Sequence, residues 1–404
     1  MHKLNVNSEI GRLKTVLLHE PGEELNNLTP KYLGDLLFDD IPWLPLAKKE
    51  HQAFAEAFRQ AGVKVVYLVD LVTESLFDDE KKKEFIKTFL VDAEVHSETL
   101  SDLVTKYLMS LPTKEMVLKT MAGIKKSELP NYVPRNLADM IGNYPFVTNP
   151  MPNLYFTRDP FAIINNGVCL NKMYSVTRQR ETIYGQFIFK YHPVYGGSPL
   201  FYNRTNHFNI EGGDIMVLNK ETLIVGVSER THPSAIERLA KNLFYQEETK
   251  YQQVLAFCIP KYRTFMHLDT IFTQVDVDKF TIHKECYNTL VIYKLERDSK
   301  RPGKILTTKV DEPLEVVLEK YTGQKVTLIP CGGNDTVSAD REQWSDGSNT
   351  IALAPGEVIA YERNDITNQV LTQYGIKVHT IPSSELSRGR GGPRCMCMPL
   401  ERED

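Results

Sequence analysis

Apolar and polar positions fall into two regimes along this chain, short apolar runs and longer amphipathic stretches. Val16-Leu17-Leu18 reads as a buried strand, closed by the turn residues His19-Glu20-Pro21-Gly22. Pro45 to Ala61 is helical in pattern, with Phe54 and Phe58 four apart on one face. Gly62 stops that helix, and Val63 to Val69 is the next strand, so the chain opens strand, helix, strand, an α/β signature. From Leu71 to Leu129 the strand signal nearly vanishes. Lysine- and glutamate-rich segments at Glu74–Leu90, Glu98–Leu111 and Thr113–Gly123 keep helical spacing, with charged faces turned to solvent.

Strand patterns return after Pro130. They are expected at Phe161–Ile164, Gly185–Phe189, Ile215–Leu218, Thr222–Val227, Val254–Ile259 and Ile271–Val275, and again at Leu290–Leu295, Val326–Ile329, Thr350–Leu353 and Ile376–Ile381. Helices are expected at His232–Tyr245, Leu314–Tyr321 and Ile366–Gln373. A weak internal repeat runs through this pattern. Gly62-Val63-Lys64-Val65, Gly323-Gln324-Lys325-Val326 and Gly375-Ile376-Lys377-Val378 each carry the end of a helix into an apolar strand. Val16–Gly22 also echoes Ile351–Gly356, and Glu211-Gly212-Gly213-Asp214 echoes Cys331-Gly332-Gly333-Asn334-Asp335. Copies at opposite ends of the chain suggest a ring of modules whose ends meet, gathering distant loops at one central site.

Composition narrows the class. With 404 residues, 42% hydrophobic and 25% charged, the chain has ample core and the profile of a soluble globular protein. A formal net charge of −4 gives no general pull toward nucleic acid. The six cysteines are scattered, which fits free thiols in a reducing, cytoplasmic setting. Neither a signal core nor an 18-residue apolar run is present, so no membrane span is expected.

Chemistry concentrates near the end, in Ser387-Arg388-Gly389-Arg390-Gly391-Gly392-Pro393-Arg394-Cys395-Met396-Cys397. Glycine-rich backbone can set a side chain on a tight loop, and nearby arginines favour a thiolate. A basic glycine-rich tail is also compatible with disorder or polyanion binding. Cys395 and Cys397 are not a CxxC pair, which argues against a zinc knuckle. Asn153-Leu154-Tyr155-Phe156-Thr157-Arg158-Asp159 places a carboxylate before a strand, as does Glu211-Gly212-Gly213-Asp214. His267 and Asp269 alternate in an extended segment, and Arg178 and Arg230 sit near strand ends. Singly, each has a plain alternative: a tight turn, a cap, or a surface hydrogen bond. As a set they suit nucleophilic attack on a flat cation, with carboxylates holding it and a histidine moving protons.

These motifs resemble the bacterial arginine deiminases, in the guanidine-modifying superfamily of penteins. The likeness spans Ser8–Lys14, Phe156-Thr157-Arg158-Asp159, Glu211-Gly212-Gly213-Asp214, His267-Leu268-Asp269 and Arg390–Met396. It implies an α/β fold, a five-bladed propeller of pseudo-fivefold ββαβ modules over residues 1–70 and 146–404, with a helical insertion at 71–145. It implies hydrolysis of L-arginine to L-citrulline and ammonia with no cofactor and no metal. Cys395 would be the nucleophile and His267 the general acid and base. Asp159 and Asp269 would bind guanidinium nitrogens, with Glu211 a further carboxylate on the His267 side. Asn153, Arg178 and Arg230 would hold the amino-acid end, Arg390 would assist from a mobile loop, and Phe156 would pack on the methylene chain. Asp214 is a weaker candidate for the substrate site. Arg394, where some relatives carry histidine, has no assigned role, and Cys397 would be a bystander. The resemblance also suggests a homodimer or higher homo-oligomer. Another guanidine hydrolase, an amidinotransferase, or a non-catalytic arginine-binding protein would share much of this set.

Overall fold

One arrangement recurs five times: a leading strand pairs antiparallel with a middle strand, and a helix crosses over to a trailing strand parallel to the middle one. The computed structural model describes residues 4–134, 137, 140, 144–246, 249–260, 264–287 and 289–403. Blade two is Phe161–Ile164, Gly167–Leu170, helix Thr182–Tyr191 and Leu200–Tyr202. Blade three is Ile215–Val217, Thr222–Val227, helix Pro233–Tyr245 and Gln253–Cys258. Its sheet grows to five strands through the hairpin of Val291–Arg297 and Ile305–Val310. Blade four is Phe272–Gln274, Lys279–Ile282, helix Leu314–Thr322 and Thr327–Pro330. Blade five is Ile351–Ala354, Glu357–Tyr361, helix Asp365–Gln373 and Lys377–Ile381.

Blade one takes its leading strand from the far end of the chain. Met398–Arg402 pairs antiparallel with Leu13–Leu18, setting Val16 opposite Pro399 and Leu17 opposite Met398. Helix Leu44–Gln60 then leads to the parallel strand Lys64–Tyr67. That helix buries Ala47, His51, Phe54 and Phe58. The ring is thus closed by the two ends of the sequence. The Arg402 guanidinium reinforces the closure, donating from one nitrogen to the Gly11 and Ala352 carbonyls at 2.6 and 2.9 Å.

The repeated Gly-x-Lys-Val copies occupy equivalent places, where a crossover helix ends and a trailing strand begins. Gly62, Gly323 and Gly375 have φ of 76°, 72° and 82°, the left-handed region in which glycine alone carries no Cβ penalty. The other two echoes are not equivalent. Val16–Leu18 lies in a middle strand, whereas Ile351–Ala354 is a leading strand that turns back in a hairpin. Glu211-Gly212-Gly213-Asp214 precedes a leading strand, whereas Cys331-Gly332-Gly333 follows a trailing one.

Gly185–Phe189 is helix rather than strand, part of Thr182–Tyr191. Ile183, Tyr184, Gly185, Phe187, Ile188 and Phe189 are all buried, so the run is apolar on nearly every face and shows no helical period. Phe187 meets Phe85 edge-to-face at 5.2 Å, where helix Asp79–Asp92 packs against it. The strand expected over Val63–Val69 ends at Tyr67, and helix Leu68–Ser75 begins at once. Helices Asp79–Asp92, Glu98–Met109 and Thr113–Ala122 follow, their buried faces continuous with the core of blade two. Of the helical segment expected at 71–145, residues 135–136, 138–139 and 141–143 lie outside the described residues. No helix among the described residues is long and apolar enough to cross a membrane.

Candidate active site

Every leading strand is entered through a short turn, and these turns converge. Pro152–Tyr155, Gly212–Asp214 and Leu268–Thr270 are single 3₁₀ turns just before blades two, three and four. Asp346 to Asn349 enters blade five, and Gly392 to Cys397 enters blade one. Short turns on rigid strands bring side chains far apart in sequence to one place. The two glycines after Glu211 are required by close approach. A Cβ on Gly212 would lie 1.9 Å from the Arg158 carbonyl oxygen, and one on Gly213 would lie 2.7 Å from the His267 ring.

Asn153, Phe156, Asp159, Arg178, Arg230, His267, Arg390 and Cys395 line one cavity of about 50 Å³. Glu211, Asp214 and Asp269 lie behind that lining, fully buried. A much roomier cleft, about 1010 Å³ beside Trp344, Arg341 and His283, has no cysteine in its lining. Chemistry rather than size therefore selects the smaller cavity. Cys397 is buried outside the lining, its thiol facing the Arg394 carbonyl at 3.7 Å.

His267 Nε2 is 2.8 Å from Glu211 Oε2, and both groups are buried. Burial favours the neutral ring, but the Asp159, Glu211 and Asp214 carboxylates outweigh it and lift His267 to about 9. Glu211 is held below the usual carboxylate range: burial opposes ionisation, and the His267 bond and charge overcome it. Cys395 is pushed well above an ordinary thiol by burial, then by Asp269, Asp159 and Asp346. Its sulfur lies 3.7 Å from Asp269 Oδ2. The cavity thus pairs a neutral thiol with an imidazolium at neutral pH.

Two carboxylates share a pattern. Asp159 Oδ2 accepts from Arg178 at 2.8 Å, and Asp269 Oδ2 accepts from Arg394 at 2.8 Å. In each, Oδ1 is buried and has no hydrogen-bond partner. Arg178, expected at the substrate's amino-acid end, is engaged by Asp159 and, through Nε, by both Glu181 oxygens at 3.2 and 3.0 Å. Asp214, expected to touch substrate, instead supports the histidine turn. Its Oδ1 accepts the Leu268 N–H at 2.8 Å and its Oδ2 accepts the Ser228 hydroxyl at 2.6 Å. Asn153 donates its amide to the Leu36 carbonyl at 2.8 Å, bringing Leu37 to the lining. Arg230 lies over the Tyr174 ring at 5.6 Å.

The loop bearing Arg390 closes one wall. Glu50, buried, accepts from the backbone of Glu385 and Leu386, each at 2.9 Å. Tyr155 and Tyr361 donate to the Leu386 and Gly391 carbonyls at 3.0 and 2.8 Å. The Arg390 guanidinium sits 3.7 Å from the Trp344 ring centroid and 3.7 Å from an Asp39 oxygen. One ligand atom each of Asp159, Glu211 and His267 lies within 4.8 Å of the others, close enough to hold a cation. With His267 committed to Glu211 and lifted to about 9, that set suits an organic cation better than a metal that needs a neutral ring.

Arg394, Asn349, Leu37, Met266 and Thr270 complete the surroundings and had not been assigned roles from sequence. Asn349 had a usable signal, a polar turn before a leading strand at the position the other site residues occupy. Leu37 had none.

Five ββαβ units closed into a ring around cysteine, histidine and carboxylates define a pentein, the fold of the guanidine-modifying enzymes. The structure resembles a Pseudomonas aeruginosa dimethylarginine dimethylaminohydrolase solved with citrulline. The TM-score is 0.53 at 14% identity, over 96% of this chain and 99% of that one. It also resembles an amidinotransferase from Microseira wollei, with TM-score 0.54 at 14% identity over 100% and 98% of the chains. At that identity the likeness speaks to fold alone. The arginine deiminase family model matches residues 34–402. An arginine deiminase of Clostridium perfringens is 53% identical over 99% of this chain and 98% of its own length. One of Treponema denticola is 52% identical over the full length of both. The chain belongs to the arginine deiminase family and is a hydrolase acting on carbon–nitrogen bonds.

Proposed function

We propose that the chain hydrolyses L-arginine to L-citrulline and ammonia through a covalent thiouronium on Cys395. The observation that carries this reading is the pair of buried Oδ1 atoms on Asp159 and Asp269, which share a site with the Cys395 sulfur and His267. A guanidinium donates to carboxylates in a plane and supplies the positive charge that buried acids need. Its arrival also offsets the carboxylates that hold Cys395 protonated, so the substrate itself favours the thiolate.

The thiolate then adds to the guanidinium carbon. Protonated His267 gives its proton to the departing nitrogen, ammonia leaves, and the thiouronium remains. Neutral His267 next takes a proton from water as hydroxide adds to the same carbon; the sulfur is expelled as thiolate, the new hydroxyl gives up its proton as it becomes the carbonyl, and citrulline is released. Arg230 and Arg390 suit the α-carboxylate, with Phe156 along the methylenes. Arg178 acts in this reading through Asp159. The described residues between 71 and 145 suit an inserted helical unit on the ring built by the described residues of 1–70 and 146–404, with a cytoplasmic homo-oligomer as the working form.

Purified protein given L-arginine should form citrulline and ammonia in equal amounts. Acid quenching should trap a mass increment on the Cys395 peptide. Product formed only with an added amine acceptor would identify an amidinotransferase instead.

A further inference from the structure

The turn entering blade five, Asp346 to Asn349, ends in an amide that faces the nucleophile's backbone. Asn349 is fully buried two residues before the strand Ile351–Ala354. Its Oδ1 accepts the Cys395 backbone N–H at 3.0 Å, and its Nδ2 donates to the Asp269 carbonyl oxygen at 3.2 Å. Its own carbonyl oxygen accepts the Arg394 N–H at 3.3 Å. The contact is tight: a Cβ on Gly392 would lie 2.7 Å from Asn349 Cβ and Oδ1.

We propose that Asn349 is a positioning residue for the reaction, a clamp that fixes the nucleophile's backbone relative to the segment carrying the Asp269 carboxylate. The chemistry at this position is narrow. One partner is a donor and the other an acceptor, so the side chain must offer both functions from a single short planar group. Aspartate keeps the acceptor and loses the donor, while alanine loses both. The sulfur is 3.7 Å from Asp269 Oδ2, so a small rotation of the Cys395 backbone moves it relative to the bound carbon. Misplacement by about 1 Å typically costs about 100-fold in rate.

The proposal rests on Cys395 being the nucleophile, and its test separates the two ideas. Arginine turnover is measured for the parent, Asn349→Ala and Asn349→Asp. Alkylation of Cys395 by iodoacetamide is followed by peptide mass spectrometry across pH. The expected result is about a 100-fold fall in kcat for Asn349→Ala with KM within about threefold, and a smaller fall for Asn349→Asp. The alkylation rate or pH midpoint at Cys395 should shift in both variants. If alanine does not fold, the near-isosteric aspartate variant carries the test. Parent-like kcat, or a parent-like alkylation profile at Cys395, overturns the proposal. A parent that makes no citrulline refutes the functional reading, and the alkylation comparison still judges Asn349.

Discussion

Replacing Glu211 with glutamine tests the origin of the imidazolium. The substitution keeps the shape and removes a buried charge whose oxygen lies 2.8 Å from His267 Nε2. A charge-assisted hydrogen bond contributes about 1.5–3 kcal/mol net, and about 1.4 kcal/mol corresponds to one pKa unit. With Asp159 and Asp214 still in place, His267 should fall from about 9 by roughly one to two units. The acid form releases ammonia; it is present below the His267 pKa and lost as pH rises through it. The alkaline limb of kcat/KM, which reports the free enzyme, should therefore move down by about one to two units. Citrulline formation measured from pH 5 to 10 at subsaturating arginine reads this directly. Linkage gives a second readout. A histidine raised from 6.5 to about 9 on folding contributes stability that is full below 6.5 and lost through about 9. The variant should lose more stability at pH 6 than at pH 10. A lower rate with the alkaline limb unmoved would show that Glu211 does not set the His267 proton affinity.

Three further outcomes follow from the geometry. Cys395→Ala should abolish citrulline formation in an endpoint assay, whereas Cys397→Ser, outside the cavity, should keep most of the activity; the opposite pattern would reassign the nucleophile. Gly391→Ala would bring a Cβ to 2.3 Å from the Phe156 ring, so the Arg390 loop should fail to seat and KM for arginine should rise at least about tenfold with Tm little changed; steady-state kinetics beside a melting curve tests this. Asp346 is lifted from 3.8 to about 7, first by burial, with Asp269 adding and Arg390 opposing. Its contribution is thus present below about 3.8 and lost as pH rises through 7, and Asp346→Asn should gain on the parent by about 3 kcal/mol between pH 5 and 8 in urea unfolding.

The legible parts of the fold and site were those written in local chemistry. The Gly-x-Lys-Val copies marked real helix-to-strand junctions because the left-handed cap demands glycine at each. Cys395, His267 and the lining residues stood out only as a set and through the motifs that carry the resemblance. The helix at Thr182–Tyr191 was hidden by burial on nearly all sides, which removes the period that distinguishes helix from strand. The engagement of Arg178 by Asp159, and of Arg394 by Asp269, was equally hidden. Pairing across blades depends on side-chain direction, which spacing along the chain does not encode.

The seam between Leu13–Leu18 and Met398–Arg402 has a temporal corollary. Translation produces Asp159, Glu211, His267 and Asp269 before Cys395, and the strand that completes blade one, Met398–Arg402, follows that cysteine. Completing the ring therefore waits on the segment that follows Cys395, and a chain lacking Met398–Arg402 would leave Leu13–Leu18 without its antiparallel partner.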